Sequence, residues 1–191
     1  MMKRIAISLI LLLLLVSDSY AKQYTWTQYR TRARAYFDVN MYGRAAEEYT
    51  KALELAPDEG QYLYGLYLYR GQAYSFGKLY DKAISDFTIA IQINPYDVAA
   101  YAERGNTYAS KGWYEQGVFD LDRAINMKPD DGLSYLYRAQ AHYNAGQYKK
   151  AWGDLKQAKI YGQKISKEMM KDYEKKALGR GTKQADTFEL F

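Results

Sequence analysis

Residues 69–87, YRGQAYSFGKLYDKAISDF, contain five aromatic residues, an arginine and two aspartates within nineteen positions. Two small residues, Gly71 and Ala83, stand at helical spacing from the rings of Tyr74 and Phe87, on either side of a turn around residues 76–78. A small residue lets two helix backbones approach closely, and aromatic rings fill the space around that contact. The stretch therefore predicts two antiparallel helices packed against each other.

The same pattern of tyrosines, small residues and proline occurs four times along the chain. Pro57, Pro95 and Pro129 align with one another, and the resulting 34-residue units cover residues 26–59, 64–97, 98–131 and 132–165. Because a two-helix unit cannot bury its apolar face alone, tandem units of this length predict an all-α solenoid in which neighbours stack. Four extra residues, 60–63, precede the second unit.

The insertion itself has a predicted structure. Asp58 and Gln61 have the spacing of a capping box, so we expect one added helical turn that begins near Glu59. Such a turn would bring Tyr62 and Leu63 against the first unit.

The units resemble the tetratricopeptide repeat (TPR). The first and third carry its spaced aromatic, small and proline residues: Tyr29, Ala33, Tyr36, Ala45, Tyr49, Ala52 and Pro57, and Tyr101, Gly105, Tyr108, Leu121, Ala124 and Pro129. The units depart from the family with tyrosine for tryptophan at position 4, arginine for leucine at position 7, and Gln163 in place of the last proline. The resemblance implies a right-handed α-solenoid of antiparallel helix hairpins, about nine helices in all, with a concave surface that binds a partner.

Position 7 of every unit is arginine, and an acid follows sixteen residues later: Arg32 and Glu48, Arg70 and Asp86, Arg104 and Asp120, and Arg138 and Asp154. In an antiparallel hairpin these two positions can lie close together. We therefore expect each arginine to lay its stem along the aromatic rings and to bond the acid of a facing or neighbouring helix. A catalytic role would require the same site four times, so the pattern favours packing.

The concave surface is expected to be lined by positions 2, 5, 9 and 12 of each first helix. Position 9 carries hydrogen-bonding side chains throughout, and Ala99 and Ala102 leave room for a partner's side chain in the third unit. We predict the following partner-binding residues: Arg30, Arg34, Tyr69, Gln72, Asn106, Tyr137, Gln140 and Tyr143. In the alternative interpretation the amides are only solvated, and Leu133 and Leu136 lie beneath a capping helix. The lysine, arginine and asparagine clamp of one TPR subgroup, which grips the carboxylate terminus of chaperones, is not reproduced.

The two ends of the chain carry different signals. Residues 1–21 combine Lys3 and Arg4, an apolar run over residues 5–16 and small residues up to Ala21. This pattern predicts a signal peptide cleaved after Ala21 and an exported protein, periplasmic or envelope-associated in a bacterium; a retained signal anchor is the alternative. Residues 22–178 are predicted to form the TPR domain, with a capping helix over residues 164–178 and a flexible tail over residues 179–191.

Composition argues against an active site. The chain has no cysteine and a single histidine, His142, which replaces a packing tyrosine, and it contains no phosphate-binding loop or nucleophile motif. We therefore predict that the protein is not an enzyme and has no catalytic residue, metal site or cofactor. Nucleic acid is not expected as a partner, because the protein is predicted to be exported.

Two functions remain open from the sequence. The first is an exported scaffold or adaptor that binds a peptide or protein in the TPR groove. The second is a basic adaptor that holds an anionic envelope surface through its C-terminal helix, because residues 149–183 contain eleven lysines and arginines against four acids. The twenty-two tyrosines also leave room for self-association through the groove.

Overall fold

The computed structural model describes residues 25–179, and every regular element in this part of the chain is an α-helix. In chain order these are α1 (Trp26–Asp38), α2 (Tyr42–Leu55), α3 (Gly60–Phe76), α4 (Tyr80–Ile93), α5 (Val98–Ser110), α6 (Tyr114–Met127), α7 (Gly132–Asn144), α8 (Tyr148–Ile160) and α9 (Lys167–Ala177). The prediction of an all-α solenoid with about nine helices is thus confirmed for the described residues. The predicted signal peptide, 1–21, and nearly all of the predicted tail, 179–191, lie outside them.

Consecutive helices pair into four hairpins, and α9 packs on α8 at the end of the stack. Each of the four units seen in the sequence contains one hairpin. The second helix of each hairpin packs on the first helix of the next, so the hairpins form one continuous row. The first helices α5 and α7 pack directly on each other, and no two second helices of the described chain do so to a similar extent. The first helices therefore lie closer together than the second helices, which places them on the inner side of the curve.

Small residues stand where the helices of a hairpin meet. A Cβ atom added to Gly105 would lie 2.8 Å from the backbone oxygen of Gly117, and one added to Gly71 would lie 2.8 Å from the ring of Phe87. Both contacts are tighter than any methyl group tolerates. Gly105 is therefore required by the approach of two backbones, and Gly71 by the aromatic ring packed on it.

The helix ends follow local sequence rules. Pro57, Pro95 and Pro129 each stand two residues beyond the end of α2, α4 or α6, where a helix cannot continue. Asp97 and Asp131 begin α5 and α7 by accepting hydrogen bonds from backbone amides of the first turn. These caps fix where each first helix starts.

The insertion lengthens α3, which starts at Gly60 and has the added turn that the sequence predicts. The expected capping box of Asp58 and Gln61 does not form. Glu59 is the N-cap residue and makes no side-chain cap bond, and the Gln61 amide donates instead to the Glu59 carboxylate at 2.7 Å. Tyr62 packs on Trp26 of the first hairpin, with ring centroids 5.2 Å apart, as expected.

All four predicted ion pairs between positions 7 and 23 are present. The nitrogen to oxygen distances are 3.3 Å for Arg32 and Glu48, 2.8 Å for Arg70 and Asp86, 2.7 Å for Arg104 and Asp120, and 2.7 Å for Arg138 and Asp154. In the last three pairs the guanidinium donates two bonds to the same carboxylate. These pairs hold together the two helices of each hairpin.

The arginines also reach back to the preceding hairpin, which the sequence pattern did not predict. Arg70 donates to Thr50 at 3.1 Å, Arg104 donates to Thr88 at 3.0 Å, and Arg138 donates to Asp122 at 2.6 Å. Burial alone would lower the pKa of these arginines, but the hydrogen bonds and charges of their carboxylates outweigh it and raise the pKa above its ordinary value. Each of the three is thus a permanent cation that joins three helices.

Candidate functional site

The exposed inner surface of α1, α3, α5 and α7 is where the sequence predicts that a partner binds, and we call it the groove. The eight residues predicted from the sequence lie on these four helices. The structure divides them into three regions: one between α1 and α3, one in the middle of the groove on α3, α5 and α7, and one beneath α9.

The first region contains a pocket between α1 and α3. It has a volume of about 320 Å³ and is lined by Arg30, Thr31, Arg34, Tyr49 and Tyr69. We call it the tyrosine–arginine pocket. It brings together three of the eight predicted residues, and it adds Tyr49, which the sequence analysis assigned to packing alone.

Tyr49 and Tyr69 provide the aromatic surface of this pocket. Their rings stack with centroids 6.2 Å apart and an interplanar angle of 22°. Tyr49 is buried, and burial raises its pKa to about 12, although the charges of Arg34 and Arg30 oppose the shift. Its phenol is therefore a neutral hydrogen-bonding group near neutral pH. The equivalent position holds Phe87, Leu121 or Leu155 in the other hairpins, so only the first hairpin places a hydroxyl there.

The two arginines give the tyrosine–arginine pocket a positive charge. Arg34 pairs with Asp38 at 3.1 Å, but both side chains are more than half exposed, and such pairs are weak. Arg30 lies over the Trp26 ring at 5.2 Å and has no carboxylate partner among residues 25–179. The pocket thus combines a net cation with two stacked phenol rings.

The second region lies in the middle of the groove. The Gln72 amide donates a 3.0 Å hydrogen bond to Glu103. Burial raises the pKa of the Glu103 carboxyl, against the lowering effect of that bond. Burial and the charge of Glu103 both raise the pKa of Tyr137. Asn106 makes no side-chain hydrogen bond to any residue between 25 and 179, so its amide is available to a ligand.

A second pocket, of about 390 Å³, lies between α5 and α7. Ala99 and Ala102 line it together with Glu103 and Leu133, and the 86% exposed ring of Tyr96 stands at its edge. The alanines leave the space that the sequence analysis expected in the third unit.

The third region is partly occupied by α9. Tyr143 stacks on Tyr173 with centroids 4.4 Å apart and donates a 2.5 Å hydrogen bond to Asp172, and the Tyr173 hydroxyl donates to Gln140 at 3.3 Å. Leu136 packs in the same cluster, whereas Leu133 remains exposed. The alternative interpretation is therefore correct for Leu136 and wrong for Leu133. Gln140 and Tyr143 contact the capping helix, which limits their access to a partner.

Other chemistry is sparse in the described residues. His142 is buried, its Nε2 lies 3.8 Å from an Asp154 oxygen, and burial lowers its pKa although the Asp154 charge opposes the shift. Between residues 25 and 179 there is no group of three or more histidine, cysteine, aspartate or glutamate side chains that could hold a metal ion. No helix in the same range is both long and apolar enough to cross a membrane.

Comparison with known proteins supports the repeat. Residues 26–59 and residues 98–131 each match a family model described as tetratricopeptide repeat. No curated protein is detectably similar to the chain in sequence.

Solved structures of TPR proteins share the fold. The Thermus thermophilus protein TTC0263, described as a thermophilic TPR protein, has a TM-score of 0.66 and 18% identity over 82% of this chain and 84% of its own. YrrB, described as a TPR protein with an unusual peptide-binding site, has a TM-score of 0.62 and 18% identity over 83% and 76%. The first TPR of Spaghetti (RPAP3), bound to the HSP90 peptide SRMEEVD, has a TM-score of 0.57 and 17% identity over 65% and 97%. At these identities the likeness establishes the fold alone.

Proposed function

We propose that the protein is an exported interaction scaffold that binds an extended segment of a protein partner along the groove. One observation carries the proposal: the groove has two pockets, of about 320 and 390 Å³, and an Asn106 amide with no partner among residues 25–179. Pockets for side chains beside a free amide are what binding of an extended peptide requires.

Different parts of the groove suit different parts of a bound peptide. The Asn106 amide has both a donor and an acceptor, so it can pair with the backbone of an extended peptide. The alanine-lined pocket admits a small or medium side chain of that peptide. The tyrosine–arginine pocket favours a side chain that is aromatic, acidic or both. YrrB and the Spaghetti domain are both described with peptides, which supports the same mode for this fold.

Export is part of the proposal on the strength of residues 1–21 alone. Their basic start, apolar run and small residues before position 22 are typical of a signal peptide. The absence of cysteine is compatible with export, since the stability of the stack comes from its packing and its ion pairs.

Selection of peptides on the purified protein tests the scaffold function. Peptides from a random display library are selected, and their affinities are measured by calorimetry for the wild type, for Asn106→Ala and for Asn126→Ala. Asn126 is the matched control because it is exposed on α6, outside the groove. We expect Asn106→Ala to weaken binding roughly tenfold, the effect of one lost backbone pairing at an interface, and Asn126→Ala to change nothing. Equal affinities for all three proteins, or failure to select any peptide, would overturn the proposal.

A second candidate function rests on the surface of α9. Lys167, Lys171, Lys175 and Lys176 are all exposed on this helix, so it can approach an anionic envelope surface. Sedimentation with anionic vesicles tests it. Lys171→Glu combined with Lys175→Glu should abolish retention, whereas retention that is insensitive to both substitutions and to salt would refute it. Removal of α9 is unsuitable for this test, because Tyr173 is buried against α7 and α8.

A further inference from the structure

The tyrosine–arginine pocket selects for a particular ligand chemistry. The exposed ring of Tyr69, which stacks on the buried ring of Tyr49, offers a surface to an aromatic side chain, and Arg30 and Arg34 stand one helical turn apart beside it. Of the two guanidinium groups, only that of Arg34 has a carboxylate partner among residues 25–179, in an exposed pair that a stronger acceptor can replace. An occupant should therefore carry a phenyl ring with carboxylates close to it.

One segment of the same chain has this composition. Residues 185–191 read ADTFELF, with Asp186 and Glu189 on either side of Phe188 and no cation among them. The preceding segment, 149–183, carries eleven cations, so the change in charge is abrupt. Residues 185–191 lie outside the described part of the chain.

We propose that residues 185–191 of one copy bind in the tyrosine–arginine pocket of a second copy, and that this contact assembles the protein head to tail. The inference rests on the proposed function, because it takes the groove to be a peptide-binding surface. Phe188 packs on the exposed ring of Tyr69, and its flanking acids pair with Arg30 and Arg34.

The dimensions favour a second copy over the same chain. Asp186 stands nine positions after Ala177, the last residue of α9, and nine residues span at most roughly 30–32 Å when fully extended. The pocket lies at the other end of the stack, and four helix spacings along the inner side amount to roughly 30–40 Å. Even a fully extended segment therefore barely reaches the pocket of its own chain, which favours the pocket of a neighbouring molecule.

The contact has consequences for assembly. It joins two different surfaces, the C-terminal segment of one molecule and the first hairpin of the next, so it is heterologous. Repetition of such a contact gives a ring when the rotation closes and a filament when it does not. The protein would then be a scaffold with several parallel grooves, of which the middle regions remain free for another partner.

Binding of a synthetic peptide tests the chemistry of the pocket. Residues 184–191 are made with a fluorescent label and an amidated end, so that only side chains carry negative charge, and anisotropy is measured with protein that lacks residues 186–191. We expect Arg30→Glu combined with Arg34→Glu to weaken binding at least roughly tenfold, and Phe188→Ala in the peptide to do the same. Arg44→Glu, which reverses an exposed charge outside the pocket, should leave the affinity unchanged. No binding, or equal loss with Arg44→Glu, would overturn the proposal.

A mixing experiment tests the head-to-tail geometry. The full-length protein should form concentration-dependent oligomers in sedimentation velocity, whereas the Arg30→Glu/Arg34→Glu protein and the protein lacking residues 186–191 should each be monomeric. Their mixture should give a 1:1 complex and nothing larger, since only one intact segment and one intact pocket remain. A monomeric full-length protein whose pocket excludes the peptide would show binding within one chain and would refute assembly. If the head-to-tail contact is absent but selected peptides still bind and their binding depends on Asn106, the assembly is refuted while the proposed function stands.

Discussion

Replacement of Arg104 by methionine should destabilise the stack strongly, because it leaves a buried carboxylate without its cation. Arg104 donates to Asp120 at 2.7 and 3.0 Å and to Thr88 at 3.0 Å, and the Asp120 side chain is only 3% exposed. Methionine retains most of the apolar stem but makes none of these bonds. Removal of one partner from a buried pair costs about 3–5 kcal/mol, and we expect the free energy of unfolding to fall by that amount.

Arg32→Met is the matched control within the same protein. The Arg32 side chain is 40% exposed, and its pair with Glu48 is longer, at 3.3 Å. Glu48 also keeps a second cation, Lys51, at 3.0 Å. We expect a loss of roughly 1 kcal/mol or less, in the range of exposed ion pairs.

Urea denaturation followed by circular dichroism measures both variants, with hydrogen exchange to resolve individual hairpins, because repeat proteins can unfold in parts. Combining Arg104→Met with Asp120→Leu should recover much of the loss, since no buried charge then remains. A loss of unfolding free energy for Arg104→Met no larger than that for Arg32→Met would show that the buried pair contributes no more than the exposed one. A double variant as unstable as Arg104→Met alone would show that the unpaired charge is not the cause of the loss.

Three further outcomes are expected. Gly105→Ala should lower the free energy of unfolding by roughly 1–3 kcal/mol, because the added methyl group meets the Gly117 backbone. Gly153→Ala, in open space within α8, should raise it by roughly 0.5–1 kcal/mol. Chemical denaturation compares the two variants. Burial raises the pKa of the Glu103 carboxyl, so the stability that the protonated carboxyl contributes is present below the ordinary value of 4.5 and is lost as pH rises through the raised pKa. Glu103→Gln should therefore be more stable than the wild type at neutral pH, and the difference should vanish in acid. Melting temperatures of both proteins measured against pH test this. Tyr173→Ala should remove about 3–5 kcal/mol of packing from α9, seen as faster hydrogen exchange in α9 than in α5.

The repeat could be predicted because its signals are local and occur four times. Gly71, Gly105 and the prolines at the helix ends each follow a rule that concerns only their own hairpin. The pairing of Arg104 with Asp120 is also local, since both positions belong to one unit. Its bond to Thr88 was missed because it depends on how one hairpin sits on the previous one, which the spacing within a unit does not specify.

The groove could be predicted only in part, for a similar reason. Its residues were assigned from their positions on the first helices, and the structure brings Arg30, Arg34 and Tyr69 together in one pocket. Tyr49 was missed because it comes from a second helix and occupies a packing position. Its hydroxyl is the one available signal, since the equivalent residues of the other hairpins are phenylalanine or leucine. Tyr143 faces α9 because the fourth hairpin lacks a fifth to cover it.

Mapping of a bound peptide by NMR tests directly whether the inner surface of the first helices is the partner-binding surface of the protein. A peptide selected on the wild type is titrated into isotope-labelled protein, and the side-chain amide of Asn106 and the Nε resonances of Arg30 and Arg34 are followed. If the peptide binds in the groove, these signals shift and saturate together. Shifts confined to the outer helices, for example around the 70% exposed ring of Phe119 on α6, would contradict it.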